Sequence, residues 1–246
     1  MIKFFRKIRQ NLLKENKTGK YFKYAIGEIV LVMIGILLAL QVNNWNQNQG
    51  IKEQLKNYRT SLLSEIDKDL KEIERIDSLN LSYTRLINEY FSLYNSNNME
   101  LDALLSKKKS TNLRSQNFQS NLYSIDELIT SGNISFFKQK EKLAIITLKK
   151  QIELYSYYEK EFVSATEYRM DKYDDIIDMA FQDGYTKTQN KRVQKLSSDI
   201  NSDYFLHFNN VLTSYLRYYE YQDYIYSIRI KPELTNLKNM LLENNE

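Results

Sequence analysis

A chain of 246 residues with 35 Lys and Arg against 31 Asp and Glu carries a formal charge of +4, but the excess is local. Residues 1–23 hold eight positives (Lys3, Arg6, Lys7, Arg9, Lys14, Lys17, Lys20 and Lys23) against Glu15 alone, so the rest of the chain, with 27 positives and 30 negatives, is net −3. A mildly acidic remainder excludes nucleic-acid binding through a concentrated basic face, and zero cysteines exclude a thiol nucleophile while leaving the compartment undecided.

The first predicted element lies within residues 1–20. Ile2, Phe5, Ile8 and Leu12 recur at helical spacing, with Lys3, Arg6, Lys7, Arg9 and Lys14 filling the other faces. This pattern predicts a basic amphipathic segment lying on the anionic lipids of an inner leaflet. Lys17, Thr18 and Gly19 then turn the chain toward the bilayer.

A transmembrane helix is expected over 21–45. A hydrocarbon core about 30 Å thick needs roughly 20 helical residues. Tyr24 to Val42 supplies them with only Glu28 and Gln41 as strongly polar interruptions, bracketed by Tyr21, Phe22 and Tyr24 on one side and Trp45 on the other. A cleaved signal peptide shares the basic start, but this apolar run passes through Leu40, Gln41, Val42 and Asn43 without a small-x-small cleavage site. Positive charge on the short N-terminal flank predicts that this flank stays cytoplasmic and that the C-terminal domain is periplasmic, on a single-pass protein of a bacterial inner membrane.

Within the crossing, Ala25, Glu28, Val32, Gly35 and Ala39 step by three and four and form one stripe of small or polar residues. Small residues let helix backbones approach closely, and a carboxylate near hydrocarbon faces protein, water or a headgroup. Two readings stand side by side. The stripe is a seam for a homo-oligomer or for another membrane protein, or Glu28 is simply hydrated at the inner interface or paired with a Lys.

Beyond Trp45 the only glycines are Gly50, Gly132 and Gly184, and the chain's one proline is Pro232. So few breaking residues predict long helices. The expected fold is all-α: the membrane helix followed by an elongated antiparallel helical bundle over 46–246, with helices at about 51–94, 118–131, 138–183 and 203–243. From Ile51, apolar residues at Leu55, Tyr58, Leu62, Ile66, Leu70, Ile73, Ile76, Tyr83, Leu86, Ile87, Tyr90 and Tyr94 come close to a seven-residue repeat in the first, the spacing of a coiled coil. Lys107 to Asn117 and Tyr185 to Ser202 read as polar and irregular. Gly132 and Gly184 are placed as helix stops, Ser202 or Asp203 as a cap, and Pro232 either kinks the last helix or starts another.

The opening MIKFFRKIRQNLLKENKTGKYFKYAIGEIVLVMIGILLALQVNNWN, with Ser131, Gly132 and Asn133 further on, resembles a Bacteroidota membrane-protein family with a domain of unknown function. The match is specific over residues 1–46 and loose beyond, at the Ser-Gly-Asn break and the helical layout. The resemblance implies a Gram-negative inner-membrane protein with a periplasmic helical domain. It brings no activity with it.

Residues that carry chemistry are sparse. His207 is the only histidine and, between Leu206 and Phe208, reads as a partly buried helix residue. Without Cys or a second His, a tetrahedral zinc site lacks its usual ligands. No phosphate-binding glycine loop or nucleophile elbow occurs. Asp171, Asp174, Asp175 and Asp178 are expected to share a helix face, which reads as a solvated acidic surface because a rigid helix cannot wrap oxygens round a cation. Tyr215, Tyr218, Tyr219, Tyr221, Tyr224 and Tyr226 crowd twelve residues, and Tyr218, Tyr221 and Tyr224 are the candidates for a protein or glycan contact, against a broad tyrosine-rich core.

The expectation from these residues is a non-enzymatic, membrane-anchored interaction or scaffold protein with no cofactor and no metal. The alternative is a sensor-like helical module that binds a small ligand and, having no second crossing, acts through a partner membrane protein. An envelope enzyme is the third class and requires a deep polar pocket.

Overall fold

The computed structural model describes residues 18–243, and there the chain is all-helical, 82% helix, with no strand among the described residues. Residues 1–17 of the basic segment expected over 1–20, with Lys3, Arg6, Lys7, Arg9 and Lys14 among them, lie outside the described residues. The chain divides into two compact units, Met1–Asn57 and Tyr58–Glu246.

Helix α1, Thr18–Tyr94, supplies residues to both units. Its N-terminal part includes the one helical stretch among the described residues that is long and apolar enough to cross a membrane. From Ile29 to Leu40 the large apolar side chains are exposed, not packed into a core. Outward apolar surface is stable only against another apolar medium, which is the condition a lipid bilayer meets.

In the second unit the same helix turns a narrow stripe inward. Leu62, Ile66, Asp69, Ile73, Ile76, Asn80, Ile87 and Tyr90 are all buried, at alternating steps of three and four or their sum. Each fully buried Leu or Ile contributes about 1.5–3 kcal/mol of burial energy. Two members of the stripe are polar, and both have structural work. The Asp69 carboxylate accepts from the Ser120 hydroxyl at 2.6 Å and from the Asn121 backbone and side-chain nitrogens at 2.6 and 2.9 Å, fixing the coil that follows the next helix. Burial raises the Asp69 pKa, opposed by those three hydrogen bonds.

Helix α2, Leu101–Ser110, takes in Lys107 to Ser110 of the segment expected to be irregular. The helix expected over 118–131 begins only at Tyr123: α3 is Tyr123–Thr130. Phe118 and Leu122 are buried at a spacing of four, yet from an extended segment, because Asp69 holds Ser120 and Asn121 and so competes with a helical turn. Leu122 cannot cap α3 with its side chain. Glu65 of α1 does so instead, accepting from the Ser124 hydroxyl at 2.8 Å and the Ser124 amide at 3.2 Å, an anion at a helix N-terminus.

The Ser-Gly-Asn break is built as a left-handed turn. Gly132 has φ +76°, which L side chains adopt only under strain, and a 3₁₀ turn, Asn133–Phe136, follows. The Asn133 amide donates to the Tyr58 hydroxyl at 3.0 Å, and that hydroxyl donates to Glu127 at 2.9 Å, so the turn is tied to α1.

Helix α4, Gln139–Asp174, ends earlier than the expected 138–183. Glu141 in its first turn accepts from the Lys138 amide at 2.9 Å and pairs with Arg59 at 2.7 Å, both side chains being buried. After a turn come two short helices, α5 (Met179–Gln182) and α6 (Lys191–Ser197), the second inside a stretch expected to be irregular. Gly184, at φ +78°, follows α5.

The last helical stretch is unbroken from Asp203 to Glu243 but changes winding: α7 is Asp203–Gln222, a π-helical segment spans Asp223–Ile230, and α8 is Lys231–Glu243. Pro232 has no N–H and its ring presses on the carbonyl four residues back in an α-helix. The wide π turns immediately before it open that spacing, with the Lys231 amide bonded to the carbonyl of Tyr226, five residues back. Helix α4 packs against α7 and α8, and the core there is aromatic: Tyr173, Tyr204, Phe205, Phe208, Tyr215, Tyr218 and Tyr219 are buried together.

Candidate functional site

A cleft of about 980 Å³ lies wholly in the second unit. Helix α2 contributes Leu105 and Lys108, the coil after it Leu113, α4 Met170 and Tyr173, the α4–α5 region Ile177 and Phe181, and α7 Tyr204, Phe208 and Leu212. Apolar side chains supply most of these contributors. The volume falls in the range of small-molecule sites, and the lining as a whole is more polar than is usual for them.

Lys108 is the unusual member. Its side chain is on the same helix face as Leu104 and Leu101, so folding α2 onto the aromatic core carries the lysine inward, and the residue is 9% exposed. Its Nζ stands 4.4 Å from the centre of the Tyr204 ring, 4.7 Å from that of Phe208 and 4.8 Å from that of Tyr173. Three ring faces offer a cation their negative quadrupoles. It also donates one hydrogen bond, to the Tyr204 hydroxyl at 3.0 Å. No carboxylate pairs with it among the described residues.

The electrostatics follow from that imbalance. Burial, with a smaller contribution from Lys109, pushes the Lys108 pKa down to about 8, because rings and one hydroxyl replace only part of the lost hydration. Burial also raises the Tyr173 and Tyr204 phenols above their ordinary range. The Tyr173 hydroxyl is buried without a hydrogen bond of acceptable geometry, although the Tyr204 and Gln182 side chains stand close enough to influence its ionisation. Such misaligned contacts give little of a hydrogen bond's energy and leave the hydroxyl largely unsatisfied.

A second, smaller hollow of about 380 Å³ adjoins Asp174, Asp175 and Asp178. The four aspartates do not share one helix face as expected, because α4 ends at Asp174. Asp178 instead caps α5, accepting from the Phe181 amide at 3.1 Å, and binds the Asn190 amide at 2.7 Å. Among the described residues no group of three or more His, Asp or Glu is placed to hold a metal ion. His207 is half-buried on α7.

The tyrosine candidates separate. Tyr218 is fully buried and is thereby removed from any partner or glycan contact; its hydroxyl meets Glu159 at 3.2 Å and the Gln116 carbonyl at 2.9 Å. Tyr221 is half-buried, stacked on Phe162 at 4.5 Å and donating to the Tyr155 carbonyl at 3.1 Å. Burial and the nearby Glu159 charge push its phenol up to about 12. Tyr224 alone of the three is exposed, and Arg229 donates to its hydroxyl at 2.6 Å. These three side chains do not form one surface.

The membrane stripe belongs to the first unit. Ala25 and Glu28 are half-buried, while Val32, Gly35 and Ala39 are exposed, with nothing within 4 Å of a Cβ built on Gly35.

Sequence reasoning missed Lys108, Tyr173 and Tyr204 as a group. Lys108 sits in a run of three lysines, where composition alone signals a solvated surface. The available signal was its step of four from Leu104, which places it on the inward face once the segment is helical.

No family model, no curated protein and no solved structure matches the chain. The function is accordingly read from the site's own residues.

Proposed function

We propose that this protein is a single-pass, membrane-anchored helical module that holds a small ligand in the cleft around Lys108 and, without chemistry of its own, passes the bound state to a partner membrane protein. The observation that carries this reading is the cleft itself: a cavity of ligand size with mixed polar and apolar walls, whose one deep cation has no carboxylate paired with it among the described residues. A core built only for stability replaces such a lysine with an apolar residue at no cost in packing.

In this reading the N-terminus is cytoplasmic and residues 58–246 are periplasmic, as an antiparallel bundle of long helices. The support is the eight positives before the apolar run, the resemblance of residues 1–46 to a Bacteroidota membrane family, and the seven-residue spacing of the buried face of α1. Native mass spectrometry of the full chain released from its own membranes tests ligand binding. The expected spectrum carries a small-molecule adduct that is lost when Leu113→Trp fills the cleft. A bare protein, with no thermal stabilisation by an extract of envelope solutes, ends the reading.

The scaffold reading rests on the stripe of small or polar residues Ala25, Glu28, Val32, Gly35 and Ala39 in the apolar stretch. Cysteine crosslinking at Gly35 and Leu55 in membranes is expected to trap a homodimer if the stripe is a seam. Failure there and at every neighbouring position removes self-association.

A further inference from the structure

Three polar groups in the cleft wall have hydrogen-bonding capacity that the protein leaves unused. Lys108 has three N–H donors and one protein acceptor, the Tyr204 oxygen. Tyr204 accepts in that bond, which leaves its own proton free to donate. Tyr173, its ring 6.0 Å from that of Tyr204, has a buried hydroxyl that makes no well-aligned hydrogen bond, although the Tyr204 and Gln182 side chains are close. All three are donors, they belong to three different helices, and Lys108 and Tyr173 are nine-tenths or more buried. Leaving such groups unpaired is costly, so their natural complement is an acceptor-only group brought in from outside.

The charge of that group follows from the lining. Lys108, Lys109, Asp174 and Asp183 are the charged side chains of the cleft, and they balance. A polyphosphate would face two carboxylates with too few cations, whereas one negative charge is matched by Lys108. A carboxylate brings two oxygens with about four lone-pair sites, enough for the lysine and both phenols. Part of the remaining wall, formed by Leu105, Leu113, Met170 and Ile177, is apolar and suits a hydrocarbon body, while Thr111, Asn112, Gln182, Gln189 and Ser197 line other parts of it.

We propose that the cleft is a binding site for an apolar monocarboxylate, whose carboxylate accepts from Lys108, Tyr204 and Tyr173 while its hydrocarbon part lies on the aliphatic wall. This rests on the reading of the cleft as a ligand site and adds the ligand's chemical class. Binding returns a counter-charge to Lys108 and holds it protonated. Affinity therefore falls as pH rises past the lysine's titration, with Lys109, Asp174, Asp183 and the Tyr215 phenol the other ionisable groups lining the cleft.

The test uses the full chain in lipid nanodiscs at pH 7, titrated with hexanoate, hexan-1-ol, hexylammonium and inorganic phosphate, with empty nanodiscs subtracting partition into lipid. Hexanoate is expected to bind at least about tenfold more tightly than the alcohol, and Lys108→Met to weaken it by about tenfold or more, the scale of one charged hydrogen bond. Tyr173→Phe, which removes one oxygen and keeps the ring, is expected to weaken hexanoate by about threefold to tenfold, and serves also if Lys108→Met does not fold. Equal binding of hexanoate and hexan-1-ol, a preference for hexylammonium or phosphate, no binding of hexanoate, or hexanoate binding unchanged by both substitutions overturns the proposal. A native adduct displaced by Leu113→Trp, together with indifference to hexanoate, defeats the carboxylate assignment alone and leaves the ligand-site reading standing.

Discussion

The Tyr226 hydroxyl donates to the Glu159 carboxylate at 2.7 Å in a part of the core where both residues are almost wholly buried, Tyr226 at 1% and Glu159 at 3% exposed. No Lys or Arg pairs with Glu159 among the described residues. Its charge is held by Tyr226, by Tyr218 at 3.2 Å and by the Gln222 amide at 2.6 Å, which also donates to the Gln116 carbonyl. Gln222 in turn accepts from Asn80 of α1 at 2.9 Å. The network therefore joins α1, the coil before α3, α4 and the α7 to π junction, and it occupies the tyrosine-rich segment for which a partner contact and a tyrosine-rich core were the two readings.

Removing one donor from that network exposes its worth. Tyr226→Phe is expected to lower unfolding free energy by about 2 kcal/mol, the range for a hydrogen bond to a charged group. Tyr224→Phe, at an exposed ring, is expected to change it by less than about 0.5 kcal/mol. Urea denaturation of the two variants makes the comparison, and equal effects refute the assignment of Tyr226 to the core network.

Arg59 and Glu141 give a second contrast. Their pair is buried, whereas Lys149 pairs with Asp126 and Glu153 at the surface. Arg59→Met leaves a buried carboxylate without its cation and is expected to cost about 3–5 kcal/mol, while Lys149→Met is expected to cost about 1 kcal/mol or less. Thermal or chemical denaturation in low salt reads both. A loss below about 1 kcal/mol for Arg59→Met contradicts the burial of the pair.

Lys108 predicts a pH signature of unusual sign. Its folded pKa, about 8, lies below the ordinary 10.5, so between those values the unfolded chain binds a proton that the folded chain does not. Stability from this group therefore rises with pH across that window, by up to about 3 kcal/mol, and its burial penalty is fully present below pH 8. Lys108→Met is expected to be more stable than the parent at pH 7, with the difference shrinking toward pH 10.5. Denaturation at pH 7, 9 and 10.5 measures it; a difference independent of pH rules out a titrating, unpaired lysine.

The apolar run makes a partition prediction. A single Arg at the centre of a crossing costs about 2.5–3.5 kcal/mol of insertion energy. Leu37→Arg is expected to move protein from the carbonate-resistant membrane pellet toward the soluble fraction, and Leu81→Arg, an exposed position in the second unit, is expected not to. Full retention of Leu37→Arg in the pellet counts against Ile29 to Leu40 as the spanning segment.

How much was legible varied with the range of the forces involved. The long helix was readable because the apolar Leu62, Ile66, Ile73, Ile76, Ile87 and Tyr90 repeat at a local spacing that backbone geometry imposes, whereas the burial of the polar Asp69 and Asn80 on the same stripe was not. Gly132 was readable as a stop because a left-handed turn selects glycine at one position. The start of α3 was not, since Phe118 and Leu122 mimic a helical step while Asp69, more than fifty residues away in sequence, holds the segment extended. Nor was the fate of Tyr218 and Tyr224, which share one composition and face opposite environments.

The sequence by itself determined that the chain is helical, that one stretch near its N-terminus is long and apolar enough to cross a membrane, and that its basic charge is confined to the residues before that stretch. These depend on nearest neighbours in sequence: side-chain period, breaker residues and counted charge. Only the tertiary structure decided that Glu159 gathers two of the six crowded tyrosines, Tyr218 and Tyr226, into the core. It alone set Lys108, out of a run of three lysines, against Tyr173, Tyr204 and Phe208. Burial of a polar group is settled by what other helices bring to it, and that is a property of the packed chain, not of any segment.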